Sequence, residues 1–231
     1  ERATLSAVEQ RRGRAGRVEP GVCYRLWPEP EMRALAPFPR PEILEADLSP
    51  LALALADWGA GDPADLRWLD PPPAGPYAAA RADLEAIGAL DANGVTPHGR
   101  RLLGLPAPPR LAHMVATAAA DGEAATAALI AMLAMERGLG GGGVDLRDRL
   151  RRLLAGKGGR AAAAKGAADR MARQAGGKRG QVDVERAGAL LAHAWPDRIA
   201  RAIDVPGRFQ MANGRRAFLD ETDPLAGAAW L

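Results

Sequence analysis

Cysteine is nearly absent from this sequence: there is one, Cys23, in 231 residues, alongside three histidines and an aromatic content of only 4%. A single thiol cannot close an internal disulfide. Together with the scattered His98, His113 and His193 it assembles no metal-ligand set, so no metal site is expected, and a reducing cytoplasm is the expected compartment. Long apolar runs are missing too. The longest, around residues 51–56 and 124–134, fall well short of the roughly 20 residues that a membrane span needs, so the chain reads as soluble. No methionine stands at the start, and the opening residues from Glu1 carry neither the apolar core nor the small-residue cleavage site of a signal peptide, which reads as a chain beginning inside a longer protein. Two phosphate-handling signatures are lacking as well: a glycine-rich loop running into lysine and a hydroxyl residue, and an acidic motif able to hold a nucleotide's metal ion. The glycines at 140–143 have no such lysine after them, and Gly156-Lys157-Gly158-Gly159 lacks both the spacing and the hydroxyl, so both stretches read as flexible joints.

What is present is a globular composition. Hydrophobic residues make up 48% of the chain, including 51 alanines, which suits one large or two small domains and excludes a disordered or fibrous chain. Charge is uneven, the net +3 being the difference between 31 basic and 28 acidic residues. Residues 147–179 carry the imbalance, with Arg147, Arg149, Arg151, Arg152, Lys157, Arg160, Lys165, Arg170, Arg173, Lys178 and Arg179 against only Asp148 and Asp169; the window is +9 and the remainder −6. Cations grouped this way suit a polyanion partner, the alternative being a solvated helix face in a chain with 28 arginines and 3 lysines.

The patterning is mostly helical. A first helix is expected from near Thr4 or Ser6, where residues 6–9 match a capping box, to the interruptions at Gly13 and Gly16. Residues 22–27 alternate apolar and polar with aromatic content and read as a strand at the edge of a mixed α/β unit. Prolines recur too densely over 28–41 for a long helix, so an irregular connector and a domain boundary are expected there. Ser49-Pro50 reads as a hydroxyl cap with proline at the first helical position, opening a helix to Gly59. A short segment at 63–69 and a helix at 77–87 follow. Asn93-Gly94 between apolar residues predicts a hairpin, and Thr96-Pro97 starts a helix towards Leu103. Three helices and a small hairpin make a winged-helix pattern. Helices at 111–120 and 124–137 come next, then one with Leu146, Leu150, Leu153 and Leu154 on a single face and arginines on the others, an alanine-rich helix at 160–174, and a third capped by Asp183. Pro196 opens a short segment. Asn213-Gly214 predicts a closing hairpin, after which the chain stops with no closing structure.

Gln10-Arg11-Arg12-Gly13-Arg14-Ala15-Gly16-Arg17 is the local sequence with a chemical purpose. Several guanidiniums and an amide on a helix end and a glycine-bearing turn suit triphosphate transfer. Planar, permanently charged donors stabilise charge spread over the γ-phosphoryl oxygens, a glutamine can orient the attacking water, and Gly13 and Gly16 allow close backbone approach. The competing reading is a basic helix end neutralised by Glu9 and Glu19.

This stretch, followed at short distance by Gly21 and residues 22–27, closely resembles motif VI and the following strand of the DEAH-box superfamily 2 helicases. The resemblance continues through residues 41–44, 47–51, 68–73, 84–91, 99–103 and 109–112, and residues 194–200 and 225–231 point to a bacterial branch of the family. It implies a mainly α chain. Residues 1–40 would be the end of a second RecA-like α/β domain, 41–104 a winged-helix domain, 105–206 a ratchet-like helical bundle, and 207–231 the start of a truncated, OB-like β-domain. It implies an ATP-dependent RNA helicase using ATP with Mg2+, whose metal ligands lie outside this sequence. Gln10 would sit near the γ-phosphate and attacking water, and Arg14 and Arg17 would be the arginine-finger pair; Arg11 would support the domain's own structure, and Arg12 occupies a variable position. Single-stranded nucleic acid, RNA by the family's name, and the missing RecA-like domain of the same chain are the implied partners. Alone, the chain would supply half of an ATPase site and be inactive.

A stand-alone winged-helix nucleic-acid-binding module is the alternative, and residues 10–17 speak against it, since a plain binding module has no use for them. A helical scaffold for protein partners would need an exposed apolar stripe that the pattern does not demand. The remaining residues have plain structural readings: His98 at the surface, His113 and His193 in helices without ligand partners, Trp58, Trp68 and Trp195 as core anchors, and Met132 and Met135 as packing filler.

Overall fold

In the computed structural model, residues 3–178 and 180–231 are described; Glu1 and Arg2, where the sequence opens, and Arg179, the last cation of the basic window, lie outside the described residues. The chain is mainly helical with small sheets and divides into two compact units. One unit comprises the residues through Asp47 together with Arg67–Pro73, the other Leu48–Leu66 and Ala74–Leu231.

In the first unit, α1 spans Leu5–Arg14. Thr4 is its N-cap, accepting from the Ala7 N–H at 3.4 Å, so the helix begins ahead of the box expected at Ser6. Glu9 is thereby freed for ion pairs with Arg12 and Arg25. The first-turn N–H groups of Leu5 and Ser6, which have no helical acceptor, donate to the carbonyls of Ala36 and Pro37 at 2.8 and 3.0 Å. Residues 22–27 do not form the expected strand. They carry the right alternation, but a strand needs a ladder partner, and none exists among the described residues of this unit. Val22, Tyr24 and Leu26 are left 76%, 83% and 93% exposed. The expected irregular connector contains a short α2, Glu29–Arg33, because Pro28 and Pro30 fall at the N-cap and first turn, where no N–H is needed.

In the second unit, α3 (Ser49–Trp58) has Leu48 rather than Ser49 at its N-cap; Ser49 is its first helical residue and is buried. The helix closes on Gly59 at φ 84°, and Trp58, expected in the core, is 75% exposed on its last turn. A 3-10 turn, Pro63–Asp65, is capped by Asp62. The helix α4 runs Ala74–Ala86, starting earlier than expected, and packs on α3. The hairpin forms as β1 (Leu90–Asp91) and β2 (Gly94–Val95), with Leu90 opposite Val95 and Gly94 at φ 108°. Thr96 caps α5 (Pro97–Leu103), accepting from the Gly99 N–H at 3.0 Å while its hydroxyl donates to the Gly88 carbonyl at 2.7 Å. Gly99 abuts the Ala89 carbonyl so closely that a Cβ would overlap it.

The alanines are explained by α6 (Pro109–Ala120) and α7 (Ala124–Met135). Ala112, Ala116, Ala127, Ala128 and Ala131 are buried there, and small side chains let α7 pack against α6, α8 (Leu146–Ala155), α9 (Gly159–Gln174) and α10 (Ala187–Ala194) at once. Met132 is buried as filler; Met135 is exposed. Neither glycine segment behaves as a free joint. Arg149 donates to the Leu133 and Leu139 carbonyls at 2.9 and 3.1 Å, fixing the start of the first, and Lys165 donates to Leu154 and Gly156 at 3.2 and 2.8 Å across the second.

A three-stranded antiparallel sheet follows, β3 (Ala200–Ala202), β4 (Arg208–Met211) and β5 (Arg216–Phe218), in the order β3-β4-β5, with Phe209 fully buried. The expected hairpin is there, turning at Gly214 with φ 82°. β3 was not expected, and the expectation of no closing structure fails: the chain returns to β3, where the Ala200 N–H donates to Leu231 and the Leu231 N–H to Ala200 at 2.8 and 2.9 Å, and Trp230 bridges Arg201. Among the described residues no helix is long and apolar enough to cross a membrane, and no group of three His, Cys, Asp or Glu is placed to hold a metal ion.

Candidate functional site

Gln10 and Arg14 stand four residues apart on α1 and so share one side of it, and Arg17 lies in the bends that follow its last turn. All three are exposed, as is Arg11. The turn is brought back to the helix end by Gly21, where a Cβ would collide with the Ala15 carbonyl; Gly13 faces open space and Gly16 has no tight neighbour, so the glycine this turn requires is Gly21. Glu9 separates the cations into two sets. It holds Arg12 at 2.8 Å and Arg25 at 2.6 Å, whereas Gln10, Arg11, Arg14 and Arg17 have no ion pair or side-chain hydrogen bond among the described residues. Cations in a last turn also complement the negative helix end. Beyond that, guanidiniums with no acid beside them keep every donor free for an external anion, and their planar fork matches phosphate oxygens.

The basic window is less free than its composition suggests. Arg147 is held by Asp145 at 3.1 Å and Glu185 at 3.5 Å, and Arg151 by Asp148 at 2.8 Å and Glu185 at 2.5 Å. The hydrogen bond from Arg147 holds the Asp145 carboxyl below its ordinary range, and Asp145 in return raises Arg147. Arg160 pairs with Glu136 at 3.5 Å and donates to the Arg137 carbonyl at 2.7 Å.

Two groupings were not legible beforehand. Arg110, its side chain only 18% exposed, bonds Asp83 at 2.6 Å, and Asp197 and the Ala194 carbonyl at 3.0 Å. Burial alone would lower its pKa, but the bonds and charges of Asp83 and then Asp197 raise it. Residues 109–112 and 194–200 both carry the helicase resemblance, so that resemblance was the available signal; what it marks here is a structural clamp between α6 and the end of α10. His98, expected at the surface, is half-buried, its Nε2 lying 2.8 Å from Nδ1 of His113. Burial, then the charges of His98 and His193, push His113 down to about 4, and burial with Arg101 lowers His98. Trp195 is half-buried rather than a core anchor. It lines a recess of about 730 Å³ with Leu146, Leu191 and Trp230, the Arg198 guanidinium standing 5.8 Å from its ring centroid.

No family model matches the chain. Among curated proteins, it is 37% identical over all 231 of its residues to the ATP-dependent RNA helicase HrpB of Escherichia coli and covers 28% of that protein. It is 42% identical over 112 residues, 48% of this chain and 10% of the relative, to the pre-mRNA-splicing factor ATP-dependent RNA helicase prp22 of Schizosaccharomyces pombe. Among solved structures, that of the E. coli DEAH/RHA helicase HrpB is similar over 100% of this chain and 28% of the other, with 36% identity and a TM-score of 0.80. The chain thus spans about a quarter of the length of the helicase it resembles from end to end.

Proposed function

We propose that this chain is the C-terminal region of an ATP-dependent RNA helicase of the HrpB type, acting in the cytoplasm and contributing the second half of a split ATPase site. Residues 1–40 are the end of a RecA-like domain, 41–104 a winged helix, and 105–206 a helical accessory domain whose last strand, β3, pairs into the sheet of an OB-like β-domain formed with 207–231. The exposed Val22, Tyr24 and Leu26 then await the sheet of the RecA-like domain to which they belong.

In this reading the ATP phosphates and their Mg2+ are cradled by another domain of the longer protein, the metal ion neutralising phosphate charge when bound. Gln10 orients the attacking water, and Arg14 and Arg17 bring positive charge to the oxygens of the γ-phosphoryl group as it transfers. The chain alone therefore does not turn over ATP. The helical domain holds single-stranded RNA by its phosphates, which couples hydrolysis to strand movement.

The observation that carries the proposal is that Gln10, Arg14 and Arg17 face solvent with no acidic partner among the described residues while Glu9 takes up Arg12 and Arg25 beside them, in a chain alike from end to end to HrpB. The test is Arg17→Ala in the longer protein. It lowers kcat for ATP by about 10³-fold or more, the scale of an arginine finger, and leaves RNA affinity unchanged. Wild-type turnover in the variant refutes the finger assignment.

A further inference from the structure

The described cations of the basic window fall into two classes. Arg147, Arg151 and Arg160 are held by carboxylates, and Arg149 and Lys165 by backbone carbonyls of neighbouring segments. Arg152, Lys157, Arg170, Arg173 and Lys178 are exposed and have no ion pair or side-chain hydrogen bond among the described residues. Of those five, two stand on α9 itself and two flank its ends, while Arg152 stands on α8 with its guanidinium against Gly141. Lys157 stands two residues before the start of α9, Arg170 and Arg173 lie on its last turns, and Lys178 follows its end.

The helix is 16 residues, about 24 Å long, and it is anchored on one side only. Ala164, Ala168, Met171 and Ala172 are buried, while residues 162, 163, 169, 170 and 173 look outward. The outer face has alanines at 162 and 163, and at Gly166 a Cβ would stand 3.5 Å from the Arg170 guanidinium, which therefore lies back along the helix surface. The single carboxylate on that face, Asp169, pairs with none of these cations among the described residues. Between the start of α9 and Arg170 its own residues on that face are Ala162, Ala163, Gly166 and Asp169, none of them long.

We propose that the outer face of α9 is a phosphate rail for single-stranded RNA, with Arg170 and Arg173 as its contacts at one end, joined there by Lys178, and Lys157 at the other. The inference rests on the helicase reading and adds to it which cations touch the strand and which serve the fold. An arginine already bonded to a carboxylate is not free to neutralise a phosphate, whereas an unpaired one is, and each phosphate neutralised releases cations condensed on the strand. The salt dependence of binding therefore separates the two classes, each lost phosphate contact to a single strand lowering the slope of log K against log salt by about 0.7.

The experiment compares two double variants that remove equal charge, Arg170→Ala with Arg173→Ala, and Arg151→Ala with Arg186→Ala, the latter pair engaged by Asp148, Glu185 and Glu123. A fluorescent single-stranded oligouridylate is titrated between about 50 and 200 mM salt. The rail pair is expected to lower the slope by about 1.4 and the affinity roughly tenfold, the ion-paired set to leave the slope unchanged. Equal slope changes in both, or none in the rail pair, overturn the rail while nucleic-acid binding itself stands. A wild-type protein that does not bind the oligonucleotide overturns the helicase reading along with the rail, and is told apart because binding fails before any substitution. Circular dichroism and melting midpoints matching wild type show that the rail variants fold, as expected for side chains that bond nothing.

Discussion

Single arginines in this chain do opposite work according to what stands beside them. Arg110 is walled in by Asp83, Asp197 and the Ala194 carbonyl and fastens two segments, while Arg14 and Arg17, identical in charge, face solvent with no acidic partner among the described residues. Charge counting could not separate these roles, because it weighs side chains without their partners. The histidines make the same point. His98 and His113 are 15 positions apart and carry no ligand spacing, yet α5 and α6 bring their rings to a T-shaped contact with centroids 5.0 Å apart. Both are held below the ordinary value of 6.5, so the unfolded chain binds protons that the folded one refuses. The stability they contribute is complete above about pH 6.5 and is lost as the pH falls towards 4. The melting midpoint is expected to drop by a few degrees between about pH 7 and 5, and His113→Gln, whose amide keeps a bond to His98 without titrating, makes that drop shallower. Identical pH profiles for variant and wild type would contradict the assignment.

At the level of the element, local chemistry decided helices well and strands poorly. Thr96-Pro97 and Asn93-Gly94 placed α5 and the first hairpin, because a hydroxyl cap and a left-handed glycine act within a few residues of themselves. The segment at 22–27 has strand patterning and no ladder partner among the described residues, whereas β3, with only the three-residue alternation Ala200-Arg201-Ala202 and no β-branched or aromatic residue, is extended because β4 and the chain around Trp230 pair with it from both sides. Strand formation there is a tertiary event that no window of sequence records. Caps moved for a similar reason: Thr4 outcompeted Ser6 once the chain at Ala36 and Pro37 could accept the first-turn N–H groups. Thr96→Ala removes both the cap to Gly99 and the bond to Gly88, and is expected to cost about 1 kcal/mol, or roughly 2–4 °C in Tm. An unchanged melting curve would mean that α5 is held by packing alone.

For the whole molecule, the resemblance carried by residues 10–17 and the later motifs was the strongest signal in the sequence, and the likeness to HrpB extends it over the full chain. The partition of the basic window was hidden, since Arg149, Arg160 and Lys165 find their partners on other segments that only the fold brings near. In the proposed function one end of this chain completes an ATPase site while its helices hold RNA. The most direct measurement is ATP hydrolysis, with and without single-stranded RNA, by this chain and by a longer protein that joins it to its ATP-binding domain. No turnover is expected from the chain alone, and RNA-accelerated turnover is expected from the longer protein. A longer protein that binds RNA yet hydrolyses no ATP in its presence would contradict the proposed function.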